Sequence, residues 1–109
     1  MEIKTEKIKH VTLISVQGRL DSLTSPNLET HLLPLVLTEQ LIVLDLAEVE
    51  YISSAGLRVF LLIAKTSNKN PCDFVICGVR DNISQIIEMS GFSSILKIKA
   101  TLEDALSSD

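Results

Sequence analysis

The chain has 109 residues, 46% of them hydrophobic and 22% charged, with a formal net charge of −4. That length suits one domain spanning residues 1–109 with a proper core, and the acidic balance argues against a nucleic-acid or anionic-membrane partner. No apolar run is long enough to cross a bilayer, and Met1 leads straight into Glu2, Lys4, Glu6 and Lys7 without a signal core, so a cytoplasmic protein is expected.

In chain order, residues 3–9 alternate loosely and residues 11–16 are richer in β-branched side chains, which reads as a hairpin pair, with Gly18 closing the second strand. Ser25-Pro26 predicts a helix start, serine as the cap and proline in the first turn. Leu28, Leu32 and Leu35 continue at helical spacing, and Pro34 is expected to kink or end that helix near Leu33. Residues 41–46 form an apolar run broken only by Asp45, as suits a parallel strand covered on both faces. A turn is expected after it.

From Ser54 the period becomes helical, with Leu57, Phe60, Leu61 and Ala64 on one face and Arg58 and Lys65 left exposed. Asn68, Asn70 and Pro71 break the chain before a short strand at residues 74–77 ended by Gly78, which implies a parallel strand–helix–strand unit. Asp81 or Asn82 is expected to cap a helix carrying Ile83, Ile86 and Ile87, stopped by Gly91. Residues 95–98 read as a last strand. Thr101 and Asp104 resemble a capping pair for a final helix, and residues 107–109 read as a frayed end. The sum is an α/β domain.

The two serines, Ser53 and Ser54, sit where a strand hands over to a helix. The first turn of a helix presents unpartnered N–H groups and the positive end of its dipole, a setting that tolerates a phosphate. Ala55 and Gly56 add almost no side chain and are expected to leave the surface open to an approaching protein. Cys72 and Cys77 match neither a redox pair nor a zinc knuckle, and five residues apart on a strand they point to opposite faces, so they read as reduced packing residues. His10 and His31 lack partners at metal-ligand spacing and read as surface residues; no metal or cofactor is expected. The serines lack a GxSxG elbow and the chain lacks phosphate-binding glycine motifs, which speaks against a hydrolase or a nucleotide-dependent enzyme.

Gly18-Arg19-Leu20-Asp21, Leu44-Asp45-Leu46, the stretch Tyr51-Ile52-Ser53-Ser54-Ala55-Gly56-Leu57-Arg58-Val59 and Met89-Ser90-Gly91-Phe92 together resemble the STAS domain of bacterial anti-sigma factor antagonists, over nearly the whole chain. The resemblance implies the STAS fold, a mixed four- to five-stranded sheet with helices mainly on one face. It also implies a non-enzymatic partner switch. The unmodified domain binds an anti-sigma factor that is a serine kinase and so frees the sigma factor; phosphorylation at the start of the central helix releases the kinase, and a PP2C-type phosphatase resets the cycle. The family's acceptor position carries onto Ser54, with Ser53 a second candidate hydroxyl. Ser53 replaces the family's frequent Asp, and Ala55 its frequent Ser or Thr. Asp21, Ser53, Ser54, Ala55, Gly56 and Arg58 are the expected partner-binding residues, with Asp21 open to a reading as a turn former. Asp21, Asp45, Glu48 and Glu50 are expected to converge on the same edge and oppose a phosphate there. The alternative within the family is a non-switching scaffold of a stress-signalling complex or a small soluble subunit of a lipid transporter.

Overall fold

The structure is a computed structural model that describes residues 1–107. Strands β1 (Glu2–Ile8), β2 (Val11–Leu20), β3 (Leu41–Ile52), β4 (Asp73–Cys77) and β5 (Lys97–Lys99) lie side by side in that order. β1 runs antiparallel to β2, and the remaining pairings are parallel. Helices α1 (Ser25–Val36), α2 (Ser54–Asn68), α3 (Asp81–Ser90) and α4 (Leu102–Leu106) connect or follow them. The α/β class and mixed sheet match the expectation.

Alternation along β3 explains the layering. Ile42, Leu44 and Leu46 face the larger core with Leu28, Leu32, Phe60, Ile63 and Ile83, so α1, α2 and α3 share one face of the sheet. Leu41 and Val43 face the other side, where Ala105 of α4 closes a smaller core with Val11, Val75 and Cys77. Cys72 belongs to the first core and Cys77 to the second; both are reduced and buried, on opposite faces as the spacing requires.

Several boundaries differ from the sequence reading, each for a packing reason. β2 does not close at Gly18: the glycine takes φ +112° beside a register shift and the strand continues to Leu20. β3 likewise runs on past Leu46 to Ile52, because the lengthened β2 pairs it as far as Leu20↔Ile52. The irregularity spaces the inward residues Leu46, Val49 and Ile52 three apart, so the usual alternation is invisible there. α1 starts at Ser25 with Thr24 in the cap position, and it continues through Pro34 to Val36. Proline removes one hydrogen bond, and the complete burial of Val36 against the core holds the last turn in place. Its inward residues are Leu28, Leu32 and Val36, while Leu35 is only half-buried.

α2 packs against both the sheet and the neighbouring α1, which turns its buried face relative to expectation: Val59 and Ile63 join Leu57, Phe60 and Ala64 inside, and Leu61 is half-buried. α3 is preceded by Arg80 rather than capped by Asp81 or Asn82. Residues 92–94 form a 3₁₀ turn, which delays the last strand from residues 95–98 to Lys97–Lys99. Thr101 Oγ1 does accept from Asp104 N at the start of α4. Ser107 follows α4 as its C-cap, and the rest of the expected frayed end, residues 108–109, lies outside the described residues. Neither histidine is fully exposed: His10 is half-buried, and His31 is half-buried with its Nε2 2.6 Å from Thr5 Oγ1.

Candidate functional site

The site forms where β2 and β3 end together. Leu20 and Ile52 are register partners that point into the core, and Ser53 N donates to Leu20 O at 2.8 Å, so the chain is fixed up to the residue before the helix. On the opposite face of the same strand pair Arg19 lies over the Tyr51 ring, 4.4 Å from its centroid. Ser53 then adopts φ −100°, ψ 176°, the extended conformation of a cap residue, and Leu57 N donates to Ser53 O at 3.1 Å to open α2.

The side chains of the two serines diverge. Ser53 Oγ is buried without a hydrogen-bond partner among the described residues and makes no cap bond to the helix. Ser54, the first helical residue, is exposed, and α2 carries no acidic residue in its first turn. Adjacent residues entering a helix are turned by about 100°, which is why neighbouring hydroxyls can have such different surroundings. Arg58, one turn further on, is also exposed.

Asp21 organises the loop beside them. Its Oδ1 accepts from Leu23 N at 3.0 Å and Thr24 N at 3.1 Å, while Thr24 Oγ1 donates to Arg19 O at 2.8 Å. The Thr24 and Leu23 amides hold the Asp21 carboxyl below its ordinary pKa, because they stabilise the ionised form. Asp21 is therefore the turn former that its residue type suggested. The loop leads into a groove of about 570 Å³ between α1 and α2, lined by Ser22, Ser25, Glu29, Ala55, Arg58 and Leu62 among others.

Gly56 does not lie on an open surface as expected. It is buried against the strand ends, and a Cβ there would stand 2.7 Å from Ile52 Cγ1 and 3.1 Å from Leu20 Cβ. Glycine is needed for close approach of the helix to the sheet. Ala55, half-buried, does line the groove. The acidic residues do not gather into one group beside Ser54: Asp45 and Glu48 line a separate pocket with residues of β1 and β2, where Asp45 Oδ1 accepts from Ala47 N at 3.0 Å, and Glu48 lies 4.0 Å from Arg80. Glu50 is exposed.

Two side chains whose role is not visible in the sequence hold the last half of β3. β3–β4 pairing stops at Asp45↔Cys77, so among the described residues no strand lies against residues 46–52 on that edge. Arg80 Nε donates to Ala47 O at 3.0 Å and Asn82 Nδ2 to Glu50 O at 3.2 Å, so the loop before α3 and its first turn take the place of a neighbouring strand. The partners are more than thirty residues apart, beyond any local pattern. Among the described residues no group of acidic, histidine or cysteine side chains could hold a metal ion, and no helix is long and apolar enough to cross a membrane.

Residues 2–105 match the STAS domain family. The chain is 36% identical over 106 residues to BtrV of Bordetella bronchiseptica, provisionally named an anti-sigma factor antagonist, covering 96% of this chain and 91% of that protein. It is 31% identical over 100 residues to the anti-sigma-B factor antagonist of Listeria monocytogenes, covering 91% and 87% respectively. A solved anti-sigma factor antagonist from Mycobacterium paratuberculosis superposes with a TM-score of 0.84 at 28% identity, covering 97% of this chain and 91% of that one. Fold, strand-end motifs and relatives agree: the chain belongs to the STAS domain family, among its anti-sigma factor antagonists.

Proposed function

We propose that the protein is a phosphorylation-controlled partner switch whose unmodified surface around Ser54 binds an anti-sigma factor with serine-kinase activity. Transfer of the ATP γ-phosphoryl group forms a bond to Ser54 Oγ, breaks the bond to the β-phosphate oxygen, and releases ADP and the hydroxyl proton. The modified domain then leaves its partner until a PP2C-type phosphatase hydrolyses the ester. The observation that carries this reading is the contrast at the helix start: Ser54 is exposed at the first helical position, whereas Ser53 Oγ is buried.

The energetics suit a switch. Moving a complex from 99:1 to 1:99 requires about 5.5 kcal/mol of differential affinity. A phosphate brings nearly two negative charges and three strong acceptor oxygens to a surface that the partner must desolvate. Asp21, Ala55 and Arg58 border or line the surface that a partner approaching Ser54 would meet, with Asp21 acting through the loop it shapes.

Incubation with ATP and candidate kinases from the same genome, followed by intact-mass analysis, tests the proposal. Wild type and Ser53→Ala should gain one phosphate and Ser54→Ala none, and Ser54→Ala should hold the kinase permanently. Phosphate retained in Ser54→Ala and lost in Ser53→Ala would reverse the assignment of the two serines. Absence of phosphate from wild type with every kinase would turn the reading to a non-switching scaffold or transporter subunit.

A further inference from the structure

Arg58, placed above on the surface a partner would meet, has no counter-ion of its own among the described residues. It is exposed and lines the groove between α1 and α2. It follows Ser54 by four residues on α2, which runs unbroken from Ser54 to Asn68. Residues at that spacing are neighbours on one helix face, about 5 to 6 Å apart between Cβ atoms, and an anion placed N-terminal to a cation is the favourable order. Guanidinium also matches phosphate geometrically, through paired N–H donors.

Resting on the Ser54 reading above, we propose that Arg58 is the intramolecular counter-ion of a phosphate on Ser54. Phosphorylation thereby also withdraws from the docking surface the cation that lines the groove. In the unmodified protein Arg58 is available to a carboxylate of the partner; in the modified protein it is engaged by its own helix. One covalent event then acts twice, by adding negative charge and by removing the positive charge that would attract an acidic group of the partner.

Two features of the surroundings favour this pairing over competitors. Glu29 of α1 lines the same groove, but it carries one charge against nearly two on the phosphate, and it forms no ion pair with Arg58 within 4.0 Å among the described residues. Ser53, whose Oγ is buried and makes no cap bond, offers no competing side-chain acceptor at the helix start. The arrangement involves only this chain's residues at positions 54 and 58, both on the same helix.

The test uses full-length protein with phosphoserine genetically encoded at position 54, so that it does not depend on finding the kinase. The second phosphate pKa is read by phosphorus NMR with Arg58 intact and in the Arg58→Ala and Arg58→Lys variants, at low and high salt. The expected result is a pKa lower with Arg58 than in Arg58→Ala by about 0.5 pH unit, partly restored in Arg58→Lys and shrinking with salt. Arg58 Nε–Hε signals should shift on phosphorylation, and Glu29→Gln should leave the effect intact or enlarge it. Equal phosphate pKa values with Arg58 intact and in Arg58→Ala, with no change at Arg58 Nε, would overturn the proposal. Failure of every kinase to label Ser54 would instead sink the switch reading and leave this measurement standing.

Discussion

Gly56 approaches Ile52 so closely that a Cβ built on it would stand 2.7 Å from Ile52 Cγ1. The helix that presents Ser54 is thus seated directly on the end of the strand that delivers it. Gly56→Ala should destabilise the protein by about 1 to 3 kcal/mol through overpacking, although alanine is the better helix former. Urea denaturation reads the stability, and phosphate incorporation at Ser54 should fall with it because the helix start must shift. A stabilised Gly56→Ala protein would show that the contact relaxes freely.

Truncations along α2 separate its buried face from its flank. Phe60 is completely buried, and Phe60→Ala should cost about 3 to 5 kcal/mol. Leu61 is half-buried, so Leu61→Ala should cost only about 1 kcal/mol. Equal losses in thermal or chemical denaturation would place the helix in the rotation read from sequence rather than the one that buries Val59 and Ile63.

Ser53 occupies a cap position without using its hydroxyl as a cap. Ser53→Ala removes a buried, unpartnered polar atom, so its stability should stay within about 0.5 kcal/mol of wild type or rise slightly. A loss of about 1 kcal/mol or more in denaturation would show that Ser53 Oγ does cap α2 in solution.

Glu39 governs part of the acid limb of stability. Lys7, Thr12 and Thr38 all donate to its carboxylate and hold its pKa down at about 2, from an ordinary value of 4.5. A depressed folded-state pKa means that the contribution is fully present above the unfolded pKa and is lost as pH falls through the folded one. Stability should therefore decline between about pH 4.5 and 2, and Glu39→Gln should flatten that part of the profile. Asp21 acts in the same direction. An unchanged slope in Glu39→Gln, followed by circular dichroism melts at stepped pH, would remove Glu39 from the account.

The strand and helix cores were legible because their periodicity is local. Apolar residues 41–46, the switch to helical spacing at Ser54 and the Gly91 stop all appear where the structure places β3, α2 and the end of α3. The extension of β3 was not legible, since Leu46, Val49 and Ile52 follow the three-residue spacing imposed by the shifted register with β2. Pro34 misled for the opposite reason: a local helix-breaking rule was overridden by the burial of Val36.

Sequence by itself determined the α/β class, the two serines at a strand-to-helix junction and the family, because each depends on residue types at fixed short spacings. Tertiary structure alone decided which serine faces solvent, because that depends on how Gly56 packs against Leu20 and Ile52 and so sets the rotation of α2 on the sheet. It also decided that Asp45 and Glu48 lie away from the site, and that Arg80 and Asn82 hold the β3 extension from the start of α3. These are contacts between segments distant in sequence, and no periodicity within one segment encodes them.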